Sequence, residues 1–303
     1  MRIAVTGASG LVGTALSAHV RAAGHDVHPV SRGPSDDPRA IRWDPAAGRL
    51  PAADVEGMDA VVHLAGAGIG DRRWTADRKR EILESRTRGT DLLARTLAGL
   101  DRPPAVLVSA AGINVYGDRG DEELTEASTP GTGFLADVVQ AWEAATAPAA
   151  EAGIRTVTTR SGVVLSSRGG ALTKLLPLFR LGLGGRMGSG RQWWSWISVD
   201  DEVGAMAFLI ERDDVAGPVN LTAPAPVTNA VLTRALGRVL HRPTLVPVPA
   251  FGPRLVVGRG LADELLFNSM RVLPGVLTTA GYRFRHPDVE TALAAVLGRE
   301  VPS

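Results

Sequence analysis

Cysteine is absent from the chain. That excludes disulfides and thiolate-ligated metal, and it fits a reducing cytoplasm, the expected location. Lysine is nearly absent. Of the 33 basic residues only Lys79 and Lys174 are lysines, and there are only two tyrosines, Tyr116 and Tyr282. Net charge is scarce too, at +1, so no global field draws nucleic acid or an anionic membrane. No apolar run reaches the roughly 18 residues that span a bilayer. The opening Met-Arg-Ile-Ala-Val-Thr-Gly lacks a basic region followed by an apolar core and a cleavage site, so no signal peptide is expected. His241 and His286 have no ligand-spaced neighbours, and no metal site is expected.

The chain has 303 residues, 45% of them hydrophobic. That is enough for one large domain with a smaller one beside it. Strand and helix patterns alternate from the start. Strands are expected at Arg2–Thr6, Asp26–Val30, Ala40–Trp43, Ala60–Leu64, Ala105–Ser109 and Thr156–Leu165. Helices are expected at Leu11–Ala23, Thr75–Leu100 and Gly133–Ala152. This rhythm predicts an α/β fold, a doubly wound parallel sheet of Rossmann type with helices on both faces. After Ser166 the pattern loosens. Leu172–Leu183 reads as helix, Trp193–Val199 as extended and Asp200–Glu211 as helix. The prolines gathered beyond Leu221 suggest a small mixed α/β cap. We therefore expect a core over 1–222, with about 168–195 serving the substrate side, and a C-terminal cap over 223–303.

The strongest motif is Thr6-Gly7-Ala8-Ser9-Gly10-Leu11-Val12-Gly13. It follows a strand and opens a helix, the context that gives the glycine spacing meaning. The first glycine permits a tight turn. The second lets backbone approach a pyrophosphate, and the third lets helix pack on strand. The amides of Ser9, Leu11 and Val12 and the helix N-terminus would then hold negative charge. An NAD site needs an acid near the end of the second strand, about 20 residues on. That strand ends Val30-Ser31-Arg32 instead, and Asp36 and Asp37 lie past the bend. Ser31 and Arg32 suit a 2′-phosphate, so the expected cofactor is NADP(H). Asp44, before Pro45, suits either the adenine amino group or a plain turn. His63-Leu64-Ala65-Gly66 ends the fourth strand at the carboxyl edge of the sheet, which favours the cofactor crevice for His63, Leu64 and Ala65.

With these segments placed, the chain resembles the extended short-chain dehydrogenases/reductases, and within them the atypical subgroup called epimerase family proteins. The resemblance rests on Thr6–Gly13, Val30-Ser31-Arg32, Trp43-Asp44-Pro45 and His63–Gly66. It continues through Arg73-Trp74-Thr75, Ser85-Arg86, Phe134-Leu135-Ala136, Trp142-Glu143-Ala144 and Arg160–Leu165. Gly182–Gly185, Gly188–Gln192 and Trp196-Ile197 follow. The tail, with Leu240–Pro243, Pro274 and Gly281–Phe284, is similar to that subgroup's C-terminal domain of unknown function. The resemblance implies an NADP-binding core with Arg80 and Ser85 near the cofactor and Val163 offering backbone beside the nicotinamide. It supplies no substrate.

The chain departs from the superfamily in one respect. Ordinary members carry Tyr-x-x-x-Lys, the tyrosine exchanging a proton with substrate and the lysine lowering its pKa. Here no Tyr-x-x-x-Lys occurs anywhere, and Phe134 and Val138 stand in its place. Losing a positioned general acid costs about 10²–10⁴-fold in rate. The remaining candidates are Tyr116, which reads first as a substrate-side wall or packing residue and second as a proton donor, and Ser109 at a strand end. Glu126 is a weaker candidate base. On the substrate side, Arg191 would clamp an anion and Trp193 and Trp196 would form an apolar wall; a domain-junction core accounts for them as well. Asp200 and Asp201 read as helix caps. Two functions follow: an NADP(H)-dependent oxidoreductase or epimerase acting on a small-molecule substrate, or a catalytically silent NADPH-binding scaffold. By analogy with the superfamily, a homodimer would form through the two long helices.

Overall fold

The computed structural model describes residues 1–300. In chain order its elements begin β1 (Arg2–Thr6), α1 (Leu11–Ala22), β2 (Asp26–Ser31), β3 (Ile41–Arg42), α2 (Ala52–Val55), β4 (Ala60–His63) and α3 (Ala76–Ala98). Then come β5 (Val106–Gly112), a single tight turn Ile113–Tyr116, β6 (Glu123–Leu124), α4 (Phe134–Ala144), α5 (Ala147–Glu151), β7 (Arg155–Ser161), β8 (Val163–Leu165) and α6 (Gly170–Arg180). The remainder is β9 (Trp193–Trp194), β10 (Trp196–Ser198), α7 (Val199–Glu211), β11 (Gly217–Leu221), β12 (Val227–Thr228), α8 (Asn229–Leu240), α9 (Phe251–Val257), α10 (Arg259–Ala262), a helical segment Asp263–Phe267, β13 (Arg271–Val272), α11 (Gly275–Thr279) and α12 (Val289–Leu297).

Seven parallel strands form the main sheet in the order β11-β7-β5-β4-β1-β2-β3. The order reverses between β1 and β4, and in open α/β sheets ligands settle above the strand ends at that switch. Alternate strand residues feed opposite faces. Val5, Val62, Val108 and Val157 pack with Leu16 of α1 and Met206 and Leu209 of α7. Ala4, Val61 and Leu107 pack with Leu93 and Leu97 of α3 and Ala149 of α5. Both sheet faces are therefore covered, as an all-parallel sheet requires.

The expected helix Gly133–Ala152 is two helices. Pro148 lacks an amide for the carbonyl of Ala144, and the Thr146 hydroxyl donates instead to the carbonyl of Glu143 over 2.7 Å. The extended run from Trp193 is also split. Trp193 and Trp194 pair antiparallel with β12, whereas Trp196–Ser198 pair parallel with β8. Between them the Ser195 hydroxyl donates to the carbonyl of Met270 at 2.8 Å and accepts from Val272 N at 2.8 Å.

The chain beyond Leu221 does not form a core by itself. Leu232, Leu236 and Val239 of α8 and Leu293 of α12 share one apolar cluster with Leu172, Leu176 and Phe179 of α6, Trp194 and Trp196. The segment over 168–195 and the C-terminal segment are thus built around the same buried side chains. No described helix is long and apolar enough to cross a membrane.

Candidate functional site

The glycine loop joins β1 to α1 at the reversal of strand order. Gly7 has φ +67°, and a Cβ there would stand 2.9 Å from the carbonyl carbon of Leu64. A Cβ on Gly13 would stand 2.1 Å from the carbonyl oxygen of Gly7. The loop can therefore lie against the end of β4 and against the first turn of α1 only with glycine at both places. Gly10 N donates back to the Gly7 carbonyl at 2.9 Å. Gly10 offers no capping side chain, and the first turn of α1 contains no acid. Its first amides have no partner inside the helix and point at the rim of the crevice. That donor set fits a diphosphate.

Thr6 fastens the loop to the neighbouring strand. Its Oγ1 accepts from Leu64 N at 3.0 Å and from Ala65 N at 3.1 Å. With both lone pairs used, its proton goes to His63 Nδ1, 2.8 Å away. His63 Nε2 then carries the ring proton and donates to Thr90 Oγ1 at 2.9 Å. The ring is fully buried and meets Trp43 edge-on. Burial, reinforced by the Arg86 charge, lowers its pKa to about 4. The expectation that His63 faces the cofactor is therefore corrected: it is a neutral strut beneath the crevice. Leu64 and Ala65 bring backbone to the rim.

At the end of β2, the Ser31 hydroxyl donates to the Gly33 carbonyl at 2.9 Å. Arg32 is exposed and has no ion pair among the described residues. Two of the nearby acids are engaged elsewhere, Asp37 facing Arg21 at 3.5 Å and Asp26 facing Arg39 at 2.9 Å, while Asp36 is exposed past the bend. The strand end itself, Val30-Ser31-Arg32, thus presents a hydroxyl and a guanidinium and carries no carboxylate. Asp44 behaves as a turn residue. Its Oδ1 accepts from Ala46 N at 3.1 Å and Ala47 N at 3.0 Å.

Arg80 does not approach the crevice. It lies on the outer face of α3, largely exposed, paired with Asp77 over 2.5 Å, while Glu84 pairs with Arg88 instead. One helix face is the reason, since Arg78, Ile82 and Arg86 take the inward positions. Ser85 sits under the crevice rim, its hydroxyl accepting from Ala67 N at 3.1 Å. Arg86, which the sequence reading passed over as a site residue, is buried against Trp142 and donates to the Ala67 carbonyl at 2.9 Å. Burial first, and Arg78 second, lower its pKa to about 10.

The two catalytic candidates are both sealed. The Tyr116 hydroxyl donates to Asn220 Oδ1 at 2.8 Å and accepts from Arg160 Nη1 at 2.9 Å, with the residue fully buried. Arg160 is in turn clamped by both oxygens of Glu143, at 2.7 and 2.8 Å. Burial pushes the phenol pKa up, against the pull of Arg160. Ser109 is 1% exposed on the α3 side of β5, and its hydroxyl has no partner among the described residues. Glu126 is structural, its Oε1 accepting from Asn220 N at 3.0 Å and Val276 N at 3.2 Å. Phe134, in the place of the superfamily tyrosine, lies under Lys79, whose Nζ is 4.7 Å from the ring centre.

On the substrate side the expected trio separates. Trp196 is fully buried and donates to the Ala225 carbonyl at 3.1 Å, so it is core and not wall. Trp193 is half-buried, donating to Asp121 Oδ1 at 2.7 Å with Arg271 over its ring. Arg191 is exposed. Val163 is at the crevice with its amide given to the Ser195 carbonyl at 2.9 Å. The cap of α7 is Ser198, not Asp200 or Asp201. Asp201 is buried, accepting from Arg285 N at 2.7 Å and His286 N at 2.9 Å.

A parallel sheet with its order reversing at a glycine loop, and an uncapped helix behind that loop, define a Rossmann protein built to hold a dinucleotide's phosphates. Residues 3–221 match the NAD dependent epimerase/dehydratase family and residues 248–296 match a domain of unknown function, DUF1731. The chain belongs to the NAD dependent epimerase/dehydratase family. An epimerase family protein of Mycobacterium tuberculosis is 43% identical over 291 residues, covering 96% of each chain. The human epimerase family protein SDR39U1 is 37% identical over 300 residues, covering 98% of this chain and all of that one. The crystal structure of human SDR39U1 (isoform 2) with NADPH superposes with a TM-score of 0.91 at 37% identity, over 98% of this chain and 99% of that chain.

Proposed function

We propose that the chain binds NADP(H) across the carboxyl edge of its sheet and uses it to oxidise, reduce or epimerise a small molecule at a carbonyl or alcohol carbon. The observation that carries the cofactor reading is the end of β2, where Ser31 and the unpaired Arg32 stand in the place of a ribose-binding acid. The human relative's crystallisation with NADPH supports it. The glycine loop would hold the diphosphate, Leu64 and Ala65 would offer backbone to the ribose, and Val163 would lie beside the nicotinamide. The cofactor supplies the hydride chemistry, and the protein orients it.

A second reading, an NADPH-binding scaffold without turnover, is favoured by one specific observation. Phe134 and Val138 replace the proton-exchanging pair, and the sealed Tyr116 does not replace it. Titration of purified protein with NADPH and NADH, followed by nicotinamide fluorescence, tests the cofactor reading. Tight NADPH binding with weak NADH binding supports it, and equal binding removes the 2′-phosphate argument. Turnover of bound NADPH against a panel of carbonyl compounds separates enzyme from scaffold.

A further inference from the structure

The most unusual group outside the cofactor loop is Glu202. It lies in the first turn of α7, fully buried. Its Oε1 accepts from the Ser161 hydroxyl at 2.6 Å, and its Oε2 has no partner among the described residues. Burying a carboxyl with one hydrogen bond is costly, so a group kept in that state needs a reason. Its location supplies one.

Ser161 is the last residue of β7, level with Gly112 of β5 and two residues before Val163. Unlike Glu202 it is only half-buried, at the crevice rim. The diphosphate position is fixed by α1, beside β1. Ser31 and Arg32 assign the adenosine half to β2, so the nicotinamide half runs the other way, toward β4, β5 and β7. Ser161 closes that end. Its hydroxyl proton is committed to Glu202, so it turns lone pairs to the crevice, where a carboxamide N–H finds an acceptor.

We propose that Ser161 and Glu202 form the contact that reads the charge of the nicotinamide ring, so that preference between NADP+ and NADPH follows whether Glu202 carries a proton. The proposal rests on the NADP(H) reading above. The oxidised ring is cationic and the reduced ring neutral. A carboxylate behind Ser161 favours the cation; a carboxylic acid does not. Reciprocally, NADP+ binding drives a proton from the Glu202 carboxyl into solvent and NADPH binding does not. Burial holds this carboxyl protonated to about pH 8, against the pull of the Ser161 hydrogen bond, so the exchange falls in an accessible range.

Few other ionisable groups share its surroundings. β5, β8 and β10 contribute none. On β7, Arg155 is at the far end, bonded to the carbonyls of Leu209, Ile210 and Val215, and Arg160 is on the opposite face with Glu143. On α1, His19 and Arg21 are in the last turn. On α7, Asp200 is within 4.0 Å of Arg285, while Asp201 holds the amides of Arg285 and His286 and faces Tyr282. Tyr282 is the one group among these whose pKa is raised in part by Glu202.

The test measures affinity for NADP+ and for NADPH between about pH 6.5 and about pH 9.5, in the wild type and in Glu202→Gln. In the wild type, NADP+ should gain about tenfold over NADPH across that range, and in Glu202→Gln the ratio should stay flat. A second measurement needs no variant. Wild-type protein mixed with NADP+ in weak buffer containing a pH indicator should release protons near pH 8, and mixed with NADPH should not. Equal pH slopes for both nucleotides in the wild type, or no differential proton release, would overturn the proposal while leaving cofactor binding intact. Failure of both nucleotides to bind would instead remove the cofactor reading and this inference with it.

Discussion

The Tyr116 hydroxyl bridges two buried partners, donating to Asn220 Oδ1 over 2.8 Å and accepting from Arg160 Nη1 over 2.9 Å. It ties β7 and β11 to the turn after β5. Removing the oxygen leaves an amide oxygen and a guanidinium N–H buried without partners. Tyr116→Phe should therefore destabilise the protein by about 1–3 kcal/mol, read by urea denaturation. Nucleotide affinity of the folded variant should be unchanged. Loss of affinity or turnover out of proportion to the loss of folded protein would return Tyr116 to the active site.

Gly13 and Gly7 make the second prediction. A methyl group on Gly13 would stand 2.1 Å from the Gly7 carbonyl oxygen and 2.8 Å from Ala8 Cα, both of them backbone atoms that cannot rotate away. The loop must shift to admit Gly13→Ala. Expected results are a stability loss of about 1–3 kcal/mol and loss of NADPH binding beyond about tenfold. Unchanged nucleotide affinity would mean that the loop is not where the phosphates bind.

The fold was legible because its signals are periodic and local. Alternating apolar strands and amphipathic helices, punctuated by Gly7, Gly10 and Gly13, dictate a βαβ order that the seven-stranded sheet reproduces. The carboxyl edge was legible for the same reason. What was hidden is the direction in which particular side chains face. His63 and Ser109 sit at strand ends, but alternation sends both to the α3 side, where Thr6 and Thr90 take the histidine. Arg80 and Arg86 share one helix and differ only in face. Glu202 follows Asp200 and Asp201 at a helix start with no local pattern to set it apart, and its environment comes from Ser161, 41 positions away. Trp196 read equally as a pocket wall or a domain-junction core, and the C-terminal helices packed over it decide for core. Long-range packing decides these cases, and no local spacing encodes it.

Arg32 and Arg80 give a paired test on nucleotide choice. Arg32 has no ion pair among the described residues, whereas Arg80 is held by Asp77 on the outside of α3. Arg32→Ala removes a charge-assisted contact to the 2′-phosphate, so NADPH affinity should fall by about 10–100-fold with little effect on NADH. Arg80→Ala should leave both affinities within about twofold. Measured by fluorescence titration, equal losses for NADPH and NADH in Arg32→Ala would refute the 2′-phosphate assignment.

Two buried groups set opposite slopes in stability against pH. The Glu202 pKa is raised from 4.5 to about 8 by burial, despite Ser161. Its stabilising contribution is full below 4.5 and is lost as pH rises through about 8. The His63 pKa is lowered from 6.5 to about 4, by burial and then by Arg86. Its contribution is full above 6.5 and is lost as pH falls through about 4. Between 4.5 and 6.5 the two slopes cancel. From 6.5 to about 8 Glu202 acts alone, removing about 1.4 kcal/mol per pH unit, or about 2 kcal/mol in all. Urea denaturation of the nucleotide-free protein at about pH 5.5, 6.5 and 8 should show a plateau and then this fall. In Glu202→Gln the alkaline fall should shrink by about 2 kcal/mol, whatever other groups titrate in both proteins. Parallel curves for wild type and variant would show that Glu202 is already ionised in the folded chain, and that the carboxyl behind Ser161 is reached by water.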